Sequence, residues 1–250
     1  MNSKNITKMF FAALVLSIAC NGCKDDNPIV NPQLASLSLS FSHTVDGSKL
    51  IKNSVNTYTN AAGNKYKVSD FLYYISNISL TKKDGSTLAF PVYKLIDAFD
   101  SSSHSIRLDD VPNGDYTAIS YSIGVDSARN HGGNQSGDLS PTKGMLWTWA
   151  SGYLFLKLEG FYLNPVEAES YRYHIGTDEF LTKVKHTVDF SIKDLDKKAS
   201  LQCNVNEFFT NPNTFDISVN NDVQSFPAQR NLTSKLATNM ADMIHLLKIE

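Results

Sequence analysis

"LASLSLSFSH", residues 34–43, alternates apolar and polar side chains without a break. In an extended chain Leu37, Leu39, Phe41 and His43 share one face, and Ser36, Ser38, Ser40 and Ser42 share the other. That is the pattern of a half-buried β-strand, with His43 at the end of its apolar side. The same grammar repeats downstream. "TNAAGNKY" (59–66) is a turn signal, and "FLYYISNISL" (71–80) is a strand closed by "KKDG" (82–85). "LAFPVYKLID" (88–97) reads as a strand whose Pro91 belongs on an edge. "IRLDDVPNGDYTAISYSIGVD" (106–126) holds two strands around Pro112-Asn113-Gly114, with Ile119, Tyr121, Ile123 and Val125 on one face. "YRYHIG" (171–176), "KVKHTVDFSIK" (183–193) and "NTFDISVN" (213–220) add further strands. "LQCNVNEFFT" (201–210) suits a short helical turn. In "SKLATNMADMIHLLKIE" (234–250) Leu236, Met240, Met243, Ile244 and Leu247 fall at helical spacing, which predicts one C-terminal helix. Short strands punctuated by turns make the chain all-β, an antiparallel sandwich or barrel-like sandwich with a short C-terminal helix. No internal repeat is present, and residues 35–250 read as one domain.

The bulk numbers agree. The chain has 250 residues, a formal net charge of −2 and only 19% charged residues, so it carries no basic footprint for nucleic acid. Upstream, "MNSKNITKMFFAALVLSIACNGCKDD" (1–26) places Lys4 and Lys8 before an apolar run from Met9 to Ala19. That run is too short to span a bilayer and suits a signal peptide. Ser17-Ile18-Ala19 before Cys20 resembles a bacterial lipobox, which makes Cys20 the expected lipidation site and residues 21–34 a flexible tether. Cys23 competes, because "CKDD" resembles lipoprotein starts of Bacteroidetes. The expected location is the bacterial cell envelope, as an outer-membrane lipoprotein on the periplasmic or surface face. Membrane contact would be through the lipid alone.

Chemistry concentrates in "GMLWTWASGYLFLKLEG" (144–160). Met145, Trp147 and Trp149 share one face of an extended strand. The apolar phase changes near Gly152, where a strand glycine often marks a bulge. Large apolar side chains are ordinarily core. A thioether together with imidazoles would instead suit a soft metal such as Cu(I). The loop "SARNHGGNQSGDLSPTK" (127–143) is long enough to be functional rather than filler.

The order of motifs resembles the MbnP-like family, associated with copper and with methanobactin genes. "FSHTVDG" (41–47), "YTNAAGNKYKVSDFLYYISNISL" (58–80), "LID" (95–97), "GVDSARN" (124–130), "GDLSPTKGMLWTWASGYLFLKLEG" (137–160) and "YHIG" (173–176) carry the likeness. The resemblance implies a lipid-anchored copper-binding protein that turns over no substrate. It implies as partner a MauG-like di-haem cytochrome c peroxidase relative, which oxidises a tryptophan to kynurenine beside a Cu(I) site. Carried onto this chain, the oxidisable or shielding indoles are Trp147 and Trp149. The motif histidines are His43 and His174, with Met145 as a thioether donor. His131 follows Asn130 where related sequences have Asn-His. Of the other histidines, His104 lies in a polar loop and reads as solvated, His186 as a core histidine, and His245 as a cation near a helix end. The competing reading is a carbohydrate- or peptide-binding surface lipoprotein, with Tyr73, Tyr74, Tyr153 and Trp147 stacking on ligand. No G-x-S-x-G or HExxH motif points to an enzyme.

Overall fold

The alternation of residues 34–43 is realised as a strand buried by its apolar face. The computed structural model describes residues 34–148, 151–165 and 167–250. Cys20, Cys23, the tether and Trp149 therefore lie outside the described residues. In chain order the strands are β1 Leu34–Val45, β2 Ser48–Lys49, β3 Tyr58–Thr59, β4 Lys65–Lys82, β5 Thr87–Asp97, β6 Ser105–Pro112, β7 Gly114–Ile123, β8 Leu146–Thr148, β9 Gly152–Leu163, β10 Ala168–Gly176, β11 Thr182–Ile192, β12 Lys197–Asn204, β13 Asp222–Gln224 and β14 Ile244–Ile249. Helical segments are α1 Ser127–Asn130, α2 Val205–Phe208 and α3 Arg230–Met240.

Two sheets form a sandwich. One runs β14-β12-β1-β2, with β6 also on β1. The larger runs β11-β7-β4-β9-β10-β13, with β3 and β5 on β4 and β8 on β9. The sheets are mixed rather than purely antiparallel, because β1 pairs β12 and β10 pairs β13 in parallel. The turn at Pro112-Asn113-Gly114 does not close a hairpin. It carries the chain from β6 in one sheet to β7 in the other.

Between the sheets, Leu37, Leu39 and Phe41 of β1 meet Tyr66, Phe71, Tyr73 and Ile75 of β4 in one apolar cluster. Tyr74, the next residue along β4, points to the opposite face. It joins a second cluster with Leu95, Val125, Leu139, Met145, Tyr153 and Phe155. Both tyrosines are fully buried. The predicted edge proline sits where Pro91 and Val92 oppose the single residue Asn77, a bulge in a strand paired only to β4.

The structure corrects two segments. "NTFDISVN" is irregular, although Phe215 and Ile217 are buried. Side-chain amides take the place of a neighbouring strand there: Ile217 N–H donates to Asn64 Oδ1 (2.9 Å), and Asn60 Nδ2 donates to the Phe215 carbonyl (3.3 Å). The C-terminal helix stops at Met240. Residues 244–249 form β14 against β12, where Ile244 is buried and Leu247 is exposed.

One close approach fixes the middle of the large sheet. A Cβ on Gly160 would lie 1.9 Å from the Lys67 carbonyl oxygen, the oxygen that also accepts from Tyr171 Oη at 3.0 Å. Gly160→Ala is therefore expected to force β9 away from β4 and cost about 3 kcal/mol, by analogy with overpacked cores. Gly47→Ala, with open space around its Cβ but a φ of +81°, should cost only the left-handed backbone strain, about 1–2 kcal/mol. Urea unfolding of the two variants against wild type measures the difference.

Candidate copper site at the Trp147 cleft

The outer face of the large sheet is covered by the long loop 127–143, and hydrogen bonds fasten it there. Asp126 caps α1 by accepting from Arg129 N–H (3.3 Å), and it also accepts from Asn77 Nδ2 (3.0 Å) and from Tyr93 Oη. Asp138 accepts from Leu95 N–H (3.0 Å), while its carbonyl accepts from Tyr74 Oη (2.8 Å). Tyr153 Oη donates to the Leu139 carbonyl.

Asn130 is the joint of this assembly. Its Oδ1 accepts from Tyr153 N–H (2.7 Å), and its Nδ2 donates to Asp178 Oδ1 (2.7 Å). The amide occupies the space a side chain at residue 152 would need: a Cβ there would stand 2.1 Å from Asn130 Oδ1. With its φ of +79°, position 152 calls for glycine on two counts. The phase change read at Gly152 is thus the start of β9, cleared for Asn130.

His131 follows directly. Its Nε2 lies 3.2 Å from both carboxylate oxygens of Asp178. Partial burial opposes ionisation of Asp178. Hydrogen bonds from Ser127 and Asn130, and the nearby His131, outweigh it and hold the carboxyl below the usual carboxylate range. An ionised carboxylate only accepts, so Nε2 is the nitrogen that donates to Asp178. His131, Ser151, Asp178, Phe226 and Arg230 line an open cleft of about 450 Å³. The Trp147 indole packs on Phe226 at its rim, with ring centroids 4.8 Å apart. Met145, on the same hairpin, is 1% exposed inside the outer cluster, and its carbonyl accepts from Leu154 N–H (2.7 Å).

The sequence-predicted ligands are not gathered into one centre. His43 faces the inner core, with Nε2 3.0 Å from Tyr73 Oη. Met145 lies beyond β4 on the outer side. His174 follows inward-facing Tyr173 on β10 and so points outward, where its Nε2 meets Glu159 Oε1 at 2.6 Å. Burial lowers the His174 pKa, and Glu159 opposes the shift. Glu159 thus anchors the His174 ring on this face. Among the described residues no group of three or more His, Cys, Asp or Glu could hold a metal ion. A site here would need the thioether or the aromatic hairpin as well as an imidazole.

Of the four aromatics expected to stack on a carbohydrate or peptide, Tyr73, Tyr74 and Tyr153 are buried and Trp147 is half-buried. Two residues escaped sequence reasoning. Asp178 orients His131 from a distant segment, with no local signal. His104, expected in solvent, packs on His43 with ring centroids 4.6 Å apart. Its clue is non-local too: Phe41 N–H donates to the His104 carbonyl (2.8 Å), which sets the two histidines side by side.

The sequence profile of the MbnP family matches residues 35–228. The chain belongs to the MbnP family. Among solved structures, MbnP from Methylosinus trichosporium is similar, with a TM-score of 0.54 and 13% identity over 78% of this chain and 82% of that one. At that identity the likeness concerns the fold. No curated protein matches the chain in sequence. Membership supports a copper-related role at the coarse level of the family.

Two outcomes follow. Asn130→Ala leaves the buried Tyr153 N–H without its partner and removes one of the two donors that Asp178 Oδ1 accepts from; it should cost about 1–3 kcal/mol, read as a lowered urea midpoint. The metal-free protein should also lose stability in acid. Burial first, and then His104, lower the His43 pKa from 6.5 to about 3. Between those values the unfolded chain takes up a proton that folded His43 refuses. This contribution is therefore complete above pH 6.5 and is lost as pH falls toward 3, on the order of several kcal/mol. Unfolding free energies measured across that window in wild type and His43→Gln should differ in slope.

Proposed function

We propose that this MbnP-family protein is a lipid-anchored copper-binding protein of the bacterial cell envelope, with Cu(I) held at the Trp147 cleft. The observation that carries the reading is an imidazole held by a carboxylate in a cleft whose Phe226 wall packs against an oxidisable indole. His131 would supply the nitrogen donor through Nδ1, with Asp178 fixing the ring as second-shell carboxylates do. Met145, the thioether on the same hairpin, is sealed in the outer cluster and does not line the cleft; it would have to turn toward the cleft to join His131 on a soft ion. His174 and its partner Glu159 sit on the same outer face and hold a position beside this centre rather than within it. The protein acts as substrate rather than catalyst. A di-haem cytochrome c peroxidase-type partner would oxidise Trp147, or its neighbour Trp149, to kynurenine: two peroxides, reduced to water, would supply the four-electron cleavage of the indole C2–C3 bond, and water would then hydrolyse the N-formyl group and release formate. Phe226 holds the Trp147 indole at the rim, where a partner can approach. Cys20 would carry the lipid.

The test is co-expression with the candidate di-haem partner, treatment with peroxide and anaerobic loading with Cu(I). The expected result is a mass shift in the tryptic peptide 144–157 and copper retention at the cleft, both lost in Trp147→Phe if that indole is the one modified. His131→Ala should lose the cleft copper but keep the mass shift. An unmodified peptide and no cleft copper would reject the reading, and glycan binding that survives chelation would favour a sugar-binding lipoprotein instead.

A further inference from the structure

Where β4, β7 and β11 lie side by side, their outer face holds an open trough of about 630 Å³ that shares no lining residue with the Trp147 cleft. Register builds it in two rows. Ser76 of β4 opposes Ser122 of β7, and Ser122 opposes Lys183 of β11. In the next row Ser79 opposes Ser120, and Ser120 opposes Lys185. Directly opposed residues of antiparallel strands share a face. Ser76 and Ser79 are three residues apart, a spacing that ordinarily puts two side chains on opposite faces. The bulge between them, with Asn77 at a φ of +51°, returns both to the outer side. Four hydroxyls and two ammonium groups are thereby set on one surface.

Little of this donor capacity is spent inside the protein. Among the described residues, no hydrogen bond reaches the side chains of Ser79, Ser120 or Ser122, and no carboxylate pairs with Lys183 or Lys185. Ser76 is fully buried and its Oγ has no partner, a costly state for a hydroxyl that nothing answers. The carboxylate of the lining, Asp126, is already covered, because Asn77 Nδ2, Tyr93 Oη and Arg129 N–H all donate to it. Lysines on an edge strand ordinarily do no more than guard that edge. Here each heads a row of unpartnered serines, and the innermost hydroxyl of the first row is sealed from water. That combination fits an oxyanion. We propose that the trough binds a phosphate monoester. Two ammonium groups match the nearly double negative charge such an ester carries at neutral pH, and the hydroxyls donate to its oxygens. Half-buried Leu181 lines the same trough and gives the esterified body an apolar wall. The volume is that of a small-molecule site rather than of a bare ion. A soluble ester and the phosphate headgroup of a lipid share this chemistry.

The experiment is NMR titration of the ¹⁵N-labelled protein with glycerol 3-phosphate, inorganic phosphate and glycerol, beside co-sedimentation with phosphatidylcholine vesicles that contain or lack phosphatidic acid. Wild type should bind glycerol 3-phosphate saturably and more tightly than inorganic phosphate, with amide shifts gathered on residues 120–122 and 183–185. Glycerol should shift nothing. Lys183→Gln and Lys185→Gln, at exposed positions where the fold tolerates change, should each weaken binding roughly tenfold, and Ser120→Ala should weaken it less. Lys49→Gln, exposed on the other sheet, should leave binding unchanged. Retention on phosphatidic acid vesicles that is lost in Lys183→Gln supports the site with a headgroup as its ligand, and binding of glycerol 3-phosphate without vesicle retention supports it with a soluble one. Wild type that binds neither the ester nor the vesicles overturns the proposal. So does a folded double variant, Lys183→Gln with Lys185→Gln, that binds them as wild type does.

Discussion

The fold depends on β4 being covered on both faces. Tyr73 and Tyr74 are consecutive, point in opposite directions and are both fully buried. A strand in that position needs one layer over each side. The five-stranded sheet supplies the inner layer and loop 127–143 the outer one. A loop can seal an apolar face only if its backbone groups find partners. The hydroxyls of Tyr74 and Tyr153 take the carbonyls of Asp138 and Leu139, while Asp138 takes the Leu95 amide. The lid is therefore part of the fold, and β4 divides the molecule into two chemical compartments.

Tyrosine suits this construction better than phenylalanine would. Besides the pair on β4, Tyr66, Tyr116, Tyr121, Tyr171 and Tyr173 are buried in the core, and each hydroxyl is satisfied. Tyr116, Tyr171 and Tyr173 donate to the main-chain carbonyls of Pro112, Lys67 and Asn220. Tyr66 donates to Asn206 at 2.7 Å, and Tyr121 meets His186 Nε2 at 3.0 Å. Burial raises the pKa of these phenols, so they remain neutral donors. The apolar ring fills the core while its polar tip pins irregular chain to the sheet. That is how a chain with few charges holds long connections in place.

Local periodicity made most strands legible, because alternation is a property of neighbours. Pairing is not. Nothing within residues 106–126 tells that β6 and β7 enter different sheets. At the C-terminus two periods share residues: Leu236 and Met240 obey the helical one, whereas Ile244 and Leu246 obey the strand that β12 recruits. Residues 213–220 alternate as a strand does, but the asparagines at 60 and 64 satisfy the backbone that a neighbouring strand would have taken. The inward face of His43 was readable from "LSLSFSH". Its companion was not, since His104 arrives through a long-range backbone contact with Phe41. The hairpin motif was readable as special, but the carboxylate that orients His131 comes from Asp178.

The spacing of the hairpin motif has a mechanical meaning. Met145 and Trp147 share a face that runs from the sealed cluster to the cleft rim, so one side chain is locked and the next is presented. A slip of one residue between β8 and β9 would exchange the faces and take both side chains off this one. Two contacts forbid it: the Met145 carbonyl holds Leu154 N–H, and Asn130 holds Tyr153 N–H. Through its other end Asn130 grips Asp178, which also fixes the imidazole of the next residue, His131. One buried amide thereby couples the register that sets Trp147 against Phe226 to the orientation of the His131 ring. Asn130, His131, Trp147 and Gly152 are then parts of a single device, and loosening the amide would disturb the donor and the indole together.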